Sequence, residues 1–339
     1  EGVTALPDHV FYYAEGLKSV KLPSTLTAIG NHAFDYCSSL TSITCEAATP
    51  PTIDGPSPFV GVDKSIPLYV PEGSVEDYQS AAYWNEFANI KGVVASGTCG
   101  DNLTWKLTED YELVIEGTGE MYDYTQGGTP WSEYRDAILT ITLPEGMTGI
   151  GHWAFSDCTS ITTITVPASV TSIGYGVLMG CTALTEIIVE EGNTVYDSRN
   201  GCNAIIKTNN NTLVSGCAAT VIPQNVTSIG NRAFGYCTFT TIDIPEGVTS
   251  IGDYAFGYCS SLITITLPES MTTIGTGAFI GCRKLAELTS LATTPPTLGS
   301  NTTFGNVNKS IPVYVPAASV EAYKSAEHWS EFTNYQTIE

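Results

Sequence analysis

Basic residues are scarce in this 339-residue chain: 13 Lys and Arg stand against 35 Asp and Glu, for a formal net charge of −22. Gripping a nucleic-acid backbone or an anionic membrane surface requires Lys and Arg to displace counterions, so neither is expected as a partner, while basic partners and divalent cations stay open. No run approaches the roughly 18 to 20 uninterrupted apolar residues of a membrane helix, so insertion by this chain is not expected. The four histidines, His9, His32, His152 and His328, fall at no metal-ligand spacing, and HExxH, GxSxG, Walker and CxxC strings are missing. No Asp-x-Asp-x-Asp-Gly loop offers calcium a site. The sequence therefore gives catalysis little support and implies no cofactor. With 42% hydrophobic and 14% charged residues it still has the composition of a folded chain.

What the chain does have is a repeat. The string Ile-Gly-x-x-Ala-Phe-x-x-Cys, or a close relative, recurs six times, starting at Ile29, Ile150, Ile173, Ile229, Ile251 and Ile274. A Pro lies six residues before each Ile (Pro23, Pro144, Pro167, Pro223, Pro245, Pro268) and a Cys eight after (Cys37, Cys158, Cys181, Cys237, Cys259, Cys282). Intact neighbours lie 22 or 23 residues apart. Self-similarity at that period describes a unit that cannot bury its apolar face alone and must stack on copies of itself.

A leucine-rich-repeat solenoid fits best: mostly β within the α/β class, right-handed, with a parallel concave sheet. Short alternating segments such as Ile161 to Val166 and Leu262 to Leu267 read as strands, each ended by a Pro that offers no N–H to the ladder. The Gly after each Ile marks a corner, where glycine admits positive φ and close backbone approach. Phe34, Phe155, Phe234, Phe256 and Phe279 should form a stacked column, with Leu178 in that place in the Cys181 copy. Six of the ten cysteines occupy one repeat position, where parallel Cβ vectors suit disulfides poorly; they read as reduced, buried small hydrophobes with a weak S–H donor, and Cys45 as another core thiol. Cys202 and Cys217 form the one candidate disulfide pair, and a free pair is the alternative. Cys99 has no partner by sequence.

A larger duplication overlies the small one, since residues 22–90 match 267–335 at a constant offset of 245. Thr49-Pro50-Pro51-Thr52 returns as Thr294-Pro295-Pro296-Thr297, and Tyr69-Val70-Pro71 as Tyr314-Val315-Pro316. This shared tail reads as a C-terminal cap: a strand, then an amphipathic helix opened by Ser74 or Ser319, with Tyr78, Trp84 and Phe87 or Tyr323, Trp329 and Phe332 as anchors. The resulting organisation is truncated repeats plus cap at 1–92, a linker at 93–98, and a second module at 99–339. The second module comprises a β-hairpin N-cap (99–142), repeats (143–288) with a hairpin insert at 190–222, and a cap (289–339). The insert hairpin is expected at Ala204 to Lys207 and Thr212 to Ser215. Glu1 falls inside a repeat with no signal-like segment, so the chain reads as processed or trimmed, with an open first edge.

Side chains alternating with the core positions should face solvent on the strands, and threonine dominates them. Thr44, Thr142, Thr163, Thr165, Thr241, Asp243, Thr264 and Thr266 are the candidate binding face. β-branched Thr also favours strands without any ligand. A second candidate is the column before the repeat Cys, where Tyr36, Tyr236 and Tyr258 should project from the convex side with an apolar ring and a polar tip.

The string Leu143-Pro144-Glu145-Gly146-Met147-Thr148, followed by Ile150-Gly151, Ala154-Phe155 and Cys158, resembles the BspA-like class (type 5) of leucine-rich repeats. The segment Cys99-Gly100-Asp101-Asn102-Leu103-Thr104-Trp105 and the Tyr-Val-Pro tails resemble modules commonly joined to such repeats. The resemblance implies a bacterial, extracellular or cell-surface protein that is not an enzyme, with its signal and anchor outside this chain. It implies adhesin-like binding to extracellular-matrix or host surface protein, and no ligand motif that transfers residue by residue. Two alternatives stand beside it: a structural spacer or self-associating surface subunit, and a module that binds surface glycan.

Overall fold

The structure is a computed structural model that describes residues 2–53, 55 and 58–338. It is mostly β, with parallel ladders and few helices. The chain divides into two compact units, Glu1–Ser96 with Lys106–Tyr111, and Gly97–Trp105 with Glu112–Glu339.

In the first unit the strands Ser19–Leu22, Ser42–Cys45, Pro67–Pro71 and Asn89–Thr98 pair in parallel, with Val20 opposite Ile43, Ile43 opposite Leu68 and Leu68 opposite Ile90. The pleat sends Ile43 and Cys45 inward, both fully buried. In the second unit Thr163–Val166 pairs with Glu186–Val189, and Thr264–Leu267, Glu287–Ser290, Pro312–Pro316 and Asn334–Ile338 form one parallel sheet. Residues 93–98, expected as a linker, lie instead within the strand Asn89–Thr98, where Val93 pairs with Pro71. Their side chains are half-buried or exposed, so the strand leaves no alternation to read.

A second ladder of two-residue strands runs through the corners, as Ala5–Leu6, Ala28–Ile29 and Thr52–Ile53 in the first unit. In the second unit Ser228–Ile229, Ser250–Ile251, Thr273–Ile274 and Thr297–Leu298 do the same. The corner glycines serve this ladder by close approach. A Cβ on Gly30 would lie 2.5 Å from Asp8 N, and one on Gly275 2.5 Å from Asp253 N, with φ ordinary at both. Side chains add a directional set of bonds: Thr249 Oγ1 donates to Thr227 O and Thr272 Oγ1 to Thr249 O, while Asn231 Oδ1 accepts from Asp253 N and Asp253 Oδ1 from Thr276 N.

The aromatic column forms and is longer than expected. Phe234, Phe256, Phe279 and Phe304 stack at 5.2 Å intervals and end against Trp329; Phe11, Phe34 and Phe59 stack at 5.2 and 5.6 Å and end against Trp84. Leu178 takes its place in the Cys181 copy, buried. All ten cysteines are free thiols. Five of the six repeat cysteines are buried and Cys237 is half-buried; Cys37, Cys181, Cys259 and Cys282 donate S–H to the carbonyl of Phe11, Phe155, Phe234 and Phe256, one turn earlier. Cys202 and Cys217 are free too, each directed at its own carbonyl, Ala204 O and Asn203 O.

Both caps contain the expected strand and short helix, α1 (Val75–Ser80) and α2 (Val320–Ser325). Ser74 and Ser319 precede them but neither hydroxyl caps the helix; Ser319 Oγ donates to Thr293 O instead. The insert strands Ala204–Lys207 and Thr212–Gly216 pair antiparallel, and Thr212–Gly216 then joins the short ladder beside Ser228–Ile229. Gly180 N donates to Gly235 O, so the turns on either side of the insert are direct neighbours.

Candidate binding faces

After each corner the chain makes a tight turn that enters the left-handed region twice, at the residue before Ala-Phe and at the residue before Cys. The first position holds His32, Trp153, Gly176, Arg232, Tyr254 and Gly277; the second holds Tyr36, Asp157, Gly180, Tyr236, Tyr258 and Gly281. All twelve have φ between 54° and 80°. For a non-glycine residue this costs about 1–2 kcal/mol, and glycine removes the cost wherever it occurs. The glycines also make room: a Cβ on Gly277 would meet the Tyr254 ring at 2.7 Å, and one on Gly281 the Tyr258 ring at 2.7 Å.

The expected tyrosines therefore project from strained turns. Tyr236 and Tyr258 stack at 5.0 Å with 14° between planes, and are 36% and 42% exposed. Desolvation holds the Tyr236 hydroxyl above its ordinary value. In the first unit Tyr36 stacks on Tyr13 at 4.6 Å and meets Tyr12 edge-on at 5.9 Å, all three rings exposed. Beneath them His32 Nδ1 lies 2.6 Å from the buried carboxylate of Asp35, whose other oxygen accepts from Val60 N.

Four further residues of the second unit escaped the sequence reading. The Arg232 guanidinium sits 5.1 Å from the Trp153 ring, 4.9 Å from Tyr175 and 5.1 Å from Tyr254, a cation enclosed by three π faces. Tyr175 stacks on His152 at 3.8 Å and is 40% exposed. The signal was available: a repeat position that holds Gly in two copies and bulky side chains in the others marks a left-handed backbone.

Thr44 Oγ1 accepts from the buried Lys106 ammonium, Thr142 donates to Glu112 and Thr163 to Glu186. Thr165 is half-buried and Thr266 exposed on their strands, as expected of outward positions. Thr264 Oγ1 lies 3.4 Å from Thr241 Oγ1, yet Thr241 and Asp243 belong to no strand. Among the described residues no group of three or more His, Cys, Asp or Glu could hold a metal, and no helix is long and apolar enough to cross a membrane.

Rungs of 22 to 23 residues that share a glycine corner, most of them with a strand and with a Phe and a Cys in column, define a leucine-rich-repeat solenoid. Residues 1–90, 134–210 and 215–308 match the BspA type leucine rich repeat region, in six copies and over more than half of the sequence, so the chain belongs to that family. No curated protein matches it. Among solved structures it is similar to a leucine rich cell surface protein of Faecalibacterium prausnitzii, at 21% identity over 99% of this chain and 83% of that one, TM-score 0.48. A leucine-rich repeat protein of Eubacterium ventriosum is 23% identical over 72% of this chain and 85% of that one, TM-score 0.39. The pneumococcal vaccine antigen PcpA is 15% identical over 95% and 79%, TM-score 0.45.

Proposed function

We propose that this protein is a non-enzymatic, adhesin-like binding protein of the bacterial cell surface, and that Tyr236 and Tyr258, with Tyr36 in the first unit, contact host or bacterial surface protein. The observation that carries the reading is the exposed tyrosine stack at left-handed positions. Gly180 and Gly281 satisfy the same turns without strain, so the fold does not demand tyrosine there. Strained backbone under exposed aromatic rings is common at recognition surfaces, where a rigid ring with a polar tip binds at low entropic cost. Family membership supports the same reading, and the net charge of −22 favours partners with basic patches.

The test is binding of the purified chain to immobilised fibronectin, fibrinogen, collagen and mucin in moderate salt. Saturable binding to at least one is expected, reduced about tenfold or more by the pair Tyr236→Ser and Tyr258→Ser with the circular dichroism spectrum unchanged. Failure to bind any of the four overturns the adhesin reading.

A further inference from the structure

One rung of the second unit is short. Cys237 and Pro245 are eight positions apart, whereas Cys158–Pro167 and Cys259–Pro268 are nine. In the longer rungs Ile161 and Leu262, three residues after the Cys, are fully buried and a strand follows at Thr163–Val166 and Thr264–Leu267. In the short rung Phe239 stands two after the Cys, only partly buried and edge-on to Phe234 at 5.8 Å. Thr241 to Ile244 form no strand, and among the described residues neither the N–H nor the C=O of any of these four bonds another group.

The preceding rung is open on the complementary side. In intact ladders an N–H donates to a carbonyl one rung earlier, as Ala286 N does to Ile263 O. Here the carbonyls of Thr220, Val221 and Ile222 accept nothing among the described residues, and Val221 is 73% exposed. Between the two rungs lies a groove of about 290 Å³ lined by Thr220, Val221, Ile222, Phe239, Ile242 and Asp243. The exposed Asp243 carboxylate has no ion-pair or hydrogen-bond partner among the described residues.

We infer that this groove binds an extended segment of a partner polypeptide that carries a basic side chain. Unused donors on one wall and unused acceptors on the other are what a single added strand satisfies, by the main-chain pairing of β-augmentation. The apolar floor takes alternate side chains of that strand, and Asp243 on a strongly acidic protein selects Lys or Arg among the rest. A glycan has no regular row of N–H and C=O groups to match both walls. The inference goes beyond the tyrosine face and does not depend on it.

Fluorescence anisotropy with a labelled synthetic peptide of alternating Thr, Ile and Lys tests the site on the whole chain. The controls are the same peptide with alternate amides N-methylated, one with Glu for Lys, and a soluble mucin oligosaccharide pool. The Lys peptide is expected to saturate below about 1 mM and to protect the amides of residues 241–244 from hydrogen exchange. The methylated peptide should not bind, and Asp243→Lys should weaken the Lys peptide about tenfold or more. A variant with Ser-Ser-Leu in place of Thr238-Phe239 restores the spacing found after Cys259; it should protect those amides without peptide and lose binding, while its thermal midpoint shows that it folds. Equal binding of all three peptides, undiminished binding by the restored variant, no saturation in that range, or protection by the oligosaccharides instead would each overturn the inference. Tyr236→Ser should leave peptide binding unchanged, which separates this test from that of the tyrosine face.

Discussion

In the module at residues 22–90 the Trp84 indole donates to Pro51 O at 2.9 Å, and in its copy at 267–335 the Trp329 indole donates to Pro296 O at 2.8 Å. The Tyr78 hydroxyl donates to Ala47 O, as Tyr323 does to Ala292 O, and Lys64 reaches Phe59 O as Lys309 reaches Phe304 O. The turns above these anchors differ. His32 and Tyr36 of the first copy are Gly277 and Gly281 in the second, although Ala-Phe and Cys around them are the same. Shared interiors under unlike turns teach that the buried anchors carry the fold and that the left-handed positions are free to carry recognition.

The comparison breaks first at its anchors. Trp84→Ala and Trp329→Ala each remove a fully buried indole and leave a cap carbonyl unpaired, so each should destabilise its own unit by about 3–5 kcal/mol in urea unfolding. Unequal losses would mean that the two caps are not equivalent supports.

Alkali should separate the units next. Burial pushes the Cys158 and Cys282 thiols up to about 12 from an ordinary 9.0, and Cys181 and Cys259 well above it. A folded-state pKa raised in this way adds stability that is intact below pH 9 and declines as pH climbs toward 12. The urea midpoint of the second unit should fall across that window by more than that of the first, whose Cys37 and Cys45 are also raised but are fewer. Native thiols should resist alkylation at pH 8 in both.

A finer contrast lies under the helices. Tyr78 OH meets Cys45 Sγ at 3.1 Å, whereas Tyr323 OH meets Ser290 Oγ at 2.7 Å. Tyr78→Phe and Tyr323→Phe should each cost about 1–3 kcal/mol, more in the second copy, where a buried hydroxyl rather than a weakly polar thiol loses its partner. The smallest effect belongs to the turns. Tyr36→Gly should change stability by no more than about 1 kcal/mol, since relief of left-handed strain offsets the lost ring contact. Gly281→Tyr should destabilise, because its Cβ would strike the Tyr258 ring.

The sequence made legible whatever is buried and recurs. The Phe and Cys columns, the cap anchors Tyr78, Trp84, Tyr323 and Trp329, and the inward pleat of Ile164 and Ile265 all repeat a side chain that the core needs, and all are buried except Phe11 and Cys237, which are half-buried. The short ladder was not foreseen, because strands as brief as Ser250–Ile251 have no alternation, although the Gly after each Ile recorded the close approach. The Arg232 stack depends on a residue that occurs in one copy, and the opened rung at Thr241 on a single missing position. Such singular departures lie outside what periodicity can report, whereas the tyrosine column of Tyr36, Tyr236 and Tyr258 recurs at one repeat position and was legible.

The ladder of Thr249, Thr272, Asn231 and Asp253 has one more consequence. Each turn takes its acceptors from the turn before and offers the same acceptors to the turn after, so any turn is interchangeable with its neighbours as a place to start or stop. A gene for such a protein can gain or lose whole turns by unequal recombination between its own repeats and still encode a chain whose corner ladder stays paired. Each event would change the reach of the molecule by one strand spacing, about 4.8 Å, so a lineage can adjust length in small steps without reinventing the fold.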